Sequence, residues 1–530
     1  MKASLPARIV RAWSELTPQG GRVMKAWNAF QGKRGADPYQ GAAMNRLLID
    51  WMAQTMTPDQ EVFTSIRKLR ARARDLARNN GYAKQYLRLL VVNLIGPNGM
   101  TLQSRVPRGQ GQEQDEEVNN RIETAWREWT KTKVTVDGKL NFRQLQVLLL
   151  QTKVTDGEVF VRKFVNFAEN PHRFALQAID ADMLDETYNR SASDRENEIR
   201  MGVEVDSLGR PVAYHFFEKP RLGDFVGGGG RVRVPADDIL HLYDPARANQ
   251  TRGVTWLHAG MWPLQMLNGY EESEAVAARV SAAKMGFFVN KDGAAGAGDV
   301  KDVDIASGMD AAPGTMEQLP AGLEFQAWDP QHPTASVWNF IKACLRKIAS
   351  AFGVSYNSLA NDLEGVNYSS LRDGRLSERD HYRMLQEDWK DSFVQPVFET
   401  WIATALLAGA LALPSRDFRR YASFANWGAR GWQWVDPLKD IAASEKEIGL
   451  GVTSRTEICR EAGKDYEQVV IQLAREQELA AKHGVDVSGF KTGAGAQQQD
   501  DEEDNGTGSS KDEEQNGKNG GRAHVAGRRF

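Results

Sequence analysis

The stretch NYSSLRDGRLSERDHYRML, residues 367–385, crowds serines, arginines and acids together just ahead of a long apolar periodicity. Arg372, Arg375, Arg379 and Arg383 are spaced three, four and four apart, which on an α-helix places them along one face. Such a stripe suits an active-site rim, a grip on nucleic acid, or a contact to another subunit. Two carboxylate pairs are further candidates. Asp180 and Asp182 in QAIDADMLDE form a D-x-D of the kind that holds a divalent metal through oxygen. Asp156 and Glu158 in TDGEVFV are spaced as a general acid–base pair would need. Each pair also has a plainer reading, and we prefer it. Acids after an apolar strand mark where the chain meets water, and Asp-Gly before alternating apolar residues is a turn leading into a strand.

Other signatures are missing. No GxxxxGK[ST], HExxH or GxSxG occurs, and GAAGAG (293–298) lacks the spacing and preceding strand of a dinucleotide site. The eight histidines are scattered singly. Cys344 and Cys459 form no CxxC, which suits a reducing compartment. No catalytic, cofactor-binding or metal-binding residue is therefore assigned, and the chain is expected not to be an enzyme.

The elements that carry these residues can be read from the hydrophobic pattern. With 530 residues, 41% of them hydrophobic, the chain is long enough for several packed units. Its net charge of −3 gives no global pull toward nucleic acid or anionic membranes. Locally, residues 1–90 hold 16 Lys and Arg against 6 Asp and Glu, and RKLRARARDLAR (67–78) is a basic helix that offers a nucleic-acid contact as an alternative reading. The N-terminus has no secretory signal pattern. VFETWIATALLAGALAL (397–413) is short for a bilayer and carries Glu399, so it reads as a buried helix.

Thr57 and Pro58 predict a helix start, with a stop at Gly81. Helices follow at 82–96 and 116–130. From Asp156 onward the period drops to two, and DSLGR (206–210) marks a hairpin turn. Helical period returns near 255–285 and 335–353. These bracket an insertion, 286–333, with 8 acids and 2 lysines. A long helix then runs from 371 to 409, with Pro396 expected to bend it. Residues 436–484 are charged and helical, and the acidic low-complexity segment from 485 to 530 reads as a disordered tail.

The order of segments resembles the lambda-type portal proteins of tailed bacteriophages. It is carried by RARARDLARNNGYAKQYLRLLVVNLIGPNG, W-x-x-W, LQVLLLQTKVTDGEVFVR, LQAIDADML, GVEVDSLGRPVAYHFF, VPADDILHLY, RGVTWL, IASAFGVSYNSLANDLEGVNYSSLRDG and WQWVDP, from about residue 40 to 485. The resemblance implies an α+β fold assembled as a ring of about twelve subunits, a cyclic assembly with head-to-tail interfaces. The ring would sit at one capsid vertex of the virion and conduct double-stranded viral DNA during packaging and ejection. Implied partners are the terminase motor, major capsid and scaffold proteins, and head-tail joining proteins, with assembly in the host cytoplasm and no membrane. Within the subunit it implies an N-terminal arm (1–55), a wing (56–251), stem helices (252–285 and 334–353), a clip (286–333), and a tunnel loop (354–370). A long kinked helix returning to the wing (371–435), a crown (436–484) and a tail (485–530) follow. Asn361, Asp362, Glu364, Asn367, Tyr368, Ser369 and Ser370 become candidates for the tunnel loop, with Ser369 or Ser370 capping the next helix. The stripe Arg372, Arg375, Arg379 and Arg383 alternates with Asp373, Glu378 and Asp380, which favours contacts between adjacent subunits over a grip on DNA.

Overall fold

A computed structural model of the chain describes residues 55–109, 113–218, 230–282, 286–290, 323–327, 336–364, 368–432 and 437–484. All but the last residue of the N-terminal arm, most of the acidic insertion and the C-terminal tail lie outside these. The chain divides into two compact units at Asp465, and helix Tyr466–His483 belongs to the second.

Helix α1 (Pro58–Asn79) starts as the sequence predicts. The Thr57 hydroxyl accepts from the Gln60 amide, the Gln60 side chain accepts from the Thr57 amide, and Pro58 takes the first turn where no N–H is needed. Its buried face is Val62, Ile66, Arg70, Ala73 and Leu76, so a guanidinium stands inside an apolar stripe. Gly81 does not stop the helix. Asn80 does, and its side chain accepts from the amides of Tyr82 and Ala83 to open α2 (Gly81–Leu90), which widens into a π turn at Val91–Ile95.

After β1 (Thr101–Ser104), α3 (Glu116–Lys131) turns Ile122, Trp126 and Trp129 inward. Helix α4 (Phe142–Asp156) reaches the first residue of the Asp-Gly dipeptide that the sequence reading takes as a turn into a strand. Gly157, left-handed at φ 89°, ends that helix and feeds β2 (Glu158–Val165) directly. Strand β2 lies between β3 (Phe174–Ile179) and β8 (Ile239–Tyr243), both antiparallel to it. The intervening strands β4 (Glu198–Arg200), β5 (Val203–Val205), β6 (Pro211–Phe217) and β7 (Arg231–Pro235) form an antiparallel meander. The expected hairpin is present between β5 and β6. Asp206 accepts from the amides of Leu208 and Arg210, and Gly209 takes φ 80°. A small core of Phe160, Leu184, Val203, Tyr214, Phe216 and Val234 joins the two sheets.

Helix α5 (His258–Ala282) precedes the strand pair β9 (Gly286–Asn290) and β10 (Leu323–Ala327), and α6 (Ser336–Phe352) follows it. The two helices run antiparallel. Gly260 at the start of α5 lies against Phe352 at the end of α6, and Tyr270 meets Phe340 edge-on at 4.9 Å. Short α7 (Tyr356–Ala360) leads to α8 (Tyr368–Trp389). The expected bend near Pro396 is a π turn, Lys390–Val394, after which α9 (Gln395–Leu407) carries Pro396 in its first turn. Proline has no N–H for the Ser392 carbonyl, and the widened turn absorbs the mismatch. Helix α9 is held within the main core. Among the described residues no helix is long and apolar enough to cross a membrane.

The main core is largely aromatic. Trp126 packs edge-on against Phe142, Phe398, Trp401 and Trp427, with centroids 5.0 to 5.7 Å apart. Pairs of this geometry add about 0.5–1.5 kcal/mol each beyond their buried area. Helix α10 (Phe418–Ser423) and β11 (Ala425–Gly428), which pairs with β1, close this side. Helices α11 (Pro437–Gly449) and α12 (Arg455–Glu461) complete the first unit.

Gly157 and Gly253 touch backbone to backbone. A Cβ on Gly157 would sit 2.4 Å from the Val254 carbonyl carbon, and one on Gly253 would sit 2.1 Å from the Gly157 oxygen. Gly209 has a similar φ but open space around it. Gly209→Ala should therefore cost only the left-handed strain, about 1 kcal/mol. Gly157→Ala should cost at least twice that in urea unfolding, because backbone must also move. Equal midpoints for the two variants would refute the close approach.

Candidate functional site

The inward arginine of α1 ends in a buried ion-pair junction. Glu158, the first residue of β2, is fully buried, as is Arg252, and Arg70 is 3% exposed. The Arg70 guanidinium pairs with the Glu158 carboxylate and also donates from Nε to the Asp156 carbonyl at 3.1 Å. Arg252 donates from Nε to Glu158 Oε1 at 2.7 Å and from Nη1 to the Met201 carbonyl at 2.7 Å. The other oxygen, Oε2, accepts from the Gly253 amide and meets His241 Nε2, both at 2.9 Å. Burial alone would raise the Glu158 carboxyl, but Arg252, Arg70 and His241 hold it well below the usual range. A carboxylate carries no proton, so His241 Nε2 is the donor here. Burial pushes the His241 imidazole down, which keeps it neutral between Phe160 and Tyr243, on which it stacks at 4.4 and 4.2 Å.

One helical turn further, Arg74 grips Asp156 with two parallel bonds, Nε to Oδ1 at 2.8 Å and Nη2 to Oδ2 at 2.7 Å. Its Nη2 also reaches Asp180 Oδ1 at 3.1 Å, and its Nη1 pairs with Asp182. The Asp156 bonds outweigh burial and raise the Arg74 guanidinium further. The D-x-D thus does not stand open. Asp180 accepts from the Asp182 amide at 2.8 Å and caps the turn Ala181–Met183, while a guanidinium takes the place a cation would need. The Asp156–Glu158 pair is split between Arg74 on one side and Arg70 with Arg252 on the other. Sequence reasoning weighed Glu158 only as half of an acid–base pair with Asp156, and it missed Arg252. The available signal was a charge inside an apolar repeat: Arg70 in Val62-Ile66-Arg70-Ala73, and Glu158 opening an apolar strand.

These pairs also change the basic helix. Arg67 pairs with Glu186, and Arg70 and Arg74 face the carboxylates above, leaving Lys68, Arg72 and Arg78 on the exposed face. Half of the basic run is held inside the subunit.

The tunnel-loop candidates fall into three settings. Asn361 ends α7 in the left-handed conformation, φ 53°. Asp362 Oδ2 accepts from Tyr356 at 2.6 Å and Oδ1 from the Glu364 amide at 2.9 Å. That tyrosine bond leads the causes that hold Asp362 low, whereas burial and the same bond push Tyr356 up to about 12. Glu364 is exposed, and Asn367 lies outside the described residues. Tyr368, Ser369 and Ser370 are the first three residues of α8, so neither serine caps it as expected; the helix has already begun.

The arginine stripe is engaged within the chain more than its sequence suggests. Arg372 donates to Asp440 of the same chain at 2.6 Å. Arg379 and Arg383 lie 6.0 and 5.9 Å from the Trp432 ring centroid, and Arg383 also pairs with Asp380 at 3.1 Å. Burial, then Arg375 and Arg383, pulls the Arg379 guanidinium down. Arg375 is exposed at a cleft of about 240 Å³ lined by Gln85, Ser355, Asn357, Ser358 and Asn361. Glu378 ties α8 to this edge by accepting from Ser355 at 3.2 Å, Ser358 at 2.9 Å and Tyr382 at 3.0 Å.

Residues 44–386 match the family model described as Phage portal protein, lambda family. The chain is 35% identical over 464 residues to a "Probable portal protein" of Halomonas phage phiHAP-1, covering 84% of this chain and 87% of that one. It is 22% identical over 503 residues to "Portal protein B" of Escherichia phage lambda, across 87% and 91% of the two chains. A solved chain from the "Neck of native GTA particle computed with C12 symmetry" aligns over 74% of this chain and 93% of its own, at 14% identity and a TM-score of 0.41.

Removing the central carboxylate should leave two buried guanidinium groups uncompensated. Glu158→Gln is expected to cost about 3–5 kcal/mol of unfolding free energy. Asp182→Asn, at a half-exposed position, should cost under about 1 kcal/mol. Chemical denaturation of both variants checks the contrast, and a cheap Glu158→Gln would mean the junction is not closed. Acidification gives a second test. Burial, the leading cause, pulls the folded His241, His215 and His172 imidazoles below the ordinary value of about 6.5. The unfolded chain then binds more protons as pH falls through about 6.5, so stability present above that pH is lost toward the folded values. Melting temperature should drop between about pH 7.5 and 5.5, and His241→Gln should make the drop shallower. An unchanged slope in that variant would remove His241 from the effect.

Proposed function

Because the chain belongs to the lambda family of phage portal proteins, we propose that it works as a ring of about twelve copies at one capsid vertex. Portal proteins are structural components of the virion capsid, and the chain's role is that of the conduit of the phage head. Through the ring, double-stranded viral DNA enters during packaging and leaves during ejection. The ATP-driven work belongs to a separate terminase motor. Capsid, scaffold and head-tail joining proteins are its other partners, and assembly takes place in the host cytoplasm.

The observation that carries this reading is the family match across residues 44–386. Charge supports it. A bore lined with free cations would bind phosphate by releasing counterions, and a ring multiplies each such contact. Here the net charge is −3, and the arginines at 67, 70 and 74 are held by carboxylates of the same chain.

On this reading the described part of 56–251 is the wing and α5 and α6 are stem helices. Residues 286–333 are the clip, 354–370 hold the tunnel loop, 371–435 make the kinked helix and its return to the wing, and 436–484 are the crown. Of the arginine stripe, Arg375 and Arg383 are the exposed members, and we assign these two to the contact between neighbouring subunits.

Electron micrographs of the purified full chain should show rings with a central hole, and a chain that stays monomeric under every assembly condition would overturn the reading. Arg383→Glu should lower ring yield several-fold while rings that do form still package DNA. Normal rings with defective packaging would instead assign Arg383 to the DNA path.

A further inference from the structure

The cleft between α2, α7 and α8 holds a charge that the subunit itself leaves unpaired. Arg375 is exposed at this cleft, and the rest of the lining is neutral, with the side-chain amides of Asn357 and Asn361 beside the apolar Leu89 and Leu363. Among the described residues no carboxylate pairs with Arg375. The one acid three or four positions from it on α8 is Glu378, and that acid is already filled. Its Oε1 accepts from the Tyr382 hydroxyl at 3.0 Å and the Ser355 amide at 3.4 Å, its Oε2 from the hydroxyls of Ser358 at 2.9 Å and Ser355 at 3.2 Å. Of the acids next to the lining in sequence, Asp362 is bound by Tyr356 at 2.6 Å and Lys342 at 3.5 Å, and Glu364 does not line the cleft. A guanidinium has five donors and no acceptor, so the missing group is an anion. About 240 Å³ with two leucines at the wall suits an acidic side chain, whose stem is hydrocarbon.

We infer that this cleft receives the Asp373 carboxylate of a second copy of the chain, an inference that rests on the ring reading above. Asp373 is exposed, and the residues three and four positions from it on α8 are Ser369, Ser370, Leu376 and Ser377, none of them a cation. The other acids of that outer face differ from it. Asp380 pairs with Arg383 and Glu387 with Lys390, and Asp388 stands about 22 Å further along the helix at 1.5 Å per residue. Asp373 and Arg375 are two residues apart, so they differ by about 3 Å along α8 and by about 200° around it. One helix thus carries an unpaired acid on one side and an unpaired base on the other. The two cannot meet within a copy. Being so close along the chain, they stay near one level whatever the tilt of α8, and rotation about a ring axis preserves that level from copy to copy. The contact joins two different surfaces, which is the kind that closes a ring rather than a dimer. An exposed ion pair contributes little on its own, but a ring repeats it at every seam. A duplex phosphate lies on a convex rod and reaches only the rim, so the cleft itself favours a side chain.

The experiment exchanges the two charges in the full-length chain and reads ring yield by mass photometry and electron microscopy. Arg375→Asp and Asp373→Arg each place like charges at every seam, and each alone should cut ring yield at least fivefold with an unchanged melting temperature of the subunit. An equal mixture of the two variants puts an opposite pair back at every seam of an alternating ring, so yield should return to at least half that of wild type. The double variant Arg375→Asp/Asp373→Arg restores every seam within one kind of chain and should recover as well, which decides the matter if a single variant folds poorly. Single variants that assemble in full yield would overturn the contact alone, as would a mixture and a double variant that both stay unassembled beside wild-type rings. Normal rings of Arg375→Asp that package DNA poorly would give the cleft to nucleic acid and overturn it too. A wild-type chain that never forms rings would overturn the ring reading and the contact with it.

Discussion

A single ionised carboxylate, Glu158, is kept without water, and the chain around it is arranged to make that possible. Removing an ion from solvent costs several kcal/mol even after relaxation. Here the cost is offset by two guanidinium groups, an imidazole N–H and a backbone amide. Those donors come from α1, β8 and the 252–253 segment, which are distant in sequence. Arg252 adds the Met201 carbonyl between β4 and β5. The junction therefore sets the positions of the first helix, the central sheet and the meander together. Gly157 and Gly253 are part of the same constraint, since only residues without Cβ allow the two backbones to come close enough for the Gly253 amide to reach Oε2.

The second organising feature is the change in character along the last long helix. Through α8 the surface is polar and the arginines reach out to Asp440, Trp432 and the cleft beside Asn361. From Phe393 onward the helix is inside the aromatic core, with Val397, Phe398, Trp401 and Ile402 fully buried. The π turn at Lys390–Val394 lies at that transition. There the Gln395 amide bonds the Lys390 carbonyl five residues back, and beyond it Phe398 of α9 packs against Trp126 and Trp427. The same device recurs at Val91–Ile95, where α2 enters the core and Asn93 meets Arg430 and Trp432.

Much of this was legible in the residues wherever the determinant is local. Thr57-Pro58 starts α1, Trp126 and Trp129 face inward at helical spacing, and Asp206 to Arg210 makes its turn through bonds within five residues. The sequence misleads where local and distant determinants compete. Asp-Gly reads as a turn before a strand, and Gly157 makes that turn, but nothing local shows that a helix runs up to Asp156, whose carbonyl and side chain are bound by Arg70 and Arg74 from 82 or more positions away. RARAR reads as an exposed basic patch, since nothing in the stretch itself shows that Glu158, Asp180 and Asp182 will face it. Likewise the stripe beginning at Arg372 looks unpartnered until α11 brings Asp440 beside it. Ion pairs are thus the part of the site that the sequence conceals, because either partner alone looks like a solvated surface residue.

That concealment bears on what a conduit requires. The cationic excess of the first 90 residues would be a liability if it formed an open field, since each free cation adds a salt-dependent hold on a duplex that must keep moving. Among the described residues, pairing within the subunit ties Arg67, Arg70 and Arg74 to carboxylates of the same chain and takes these three out of that field. Apolar contact strengthens rather than weakens as salt rises, whereas exposed ion pairs are screened over about 8 to 10 Å at moderate ionic strength. An exposed pair such as Arg383 with Asp380 therefore loses most of its hold as salt rises, whereas the buried pairs that close on Glu158 keep theirs.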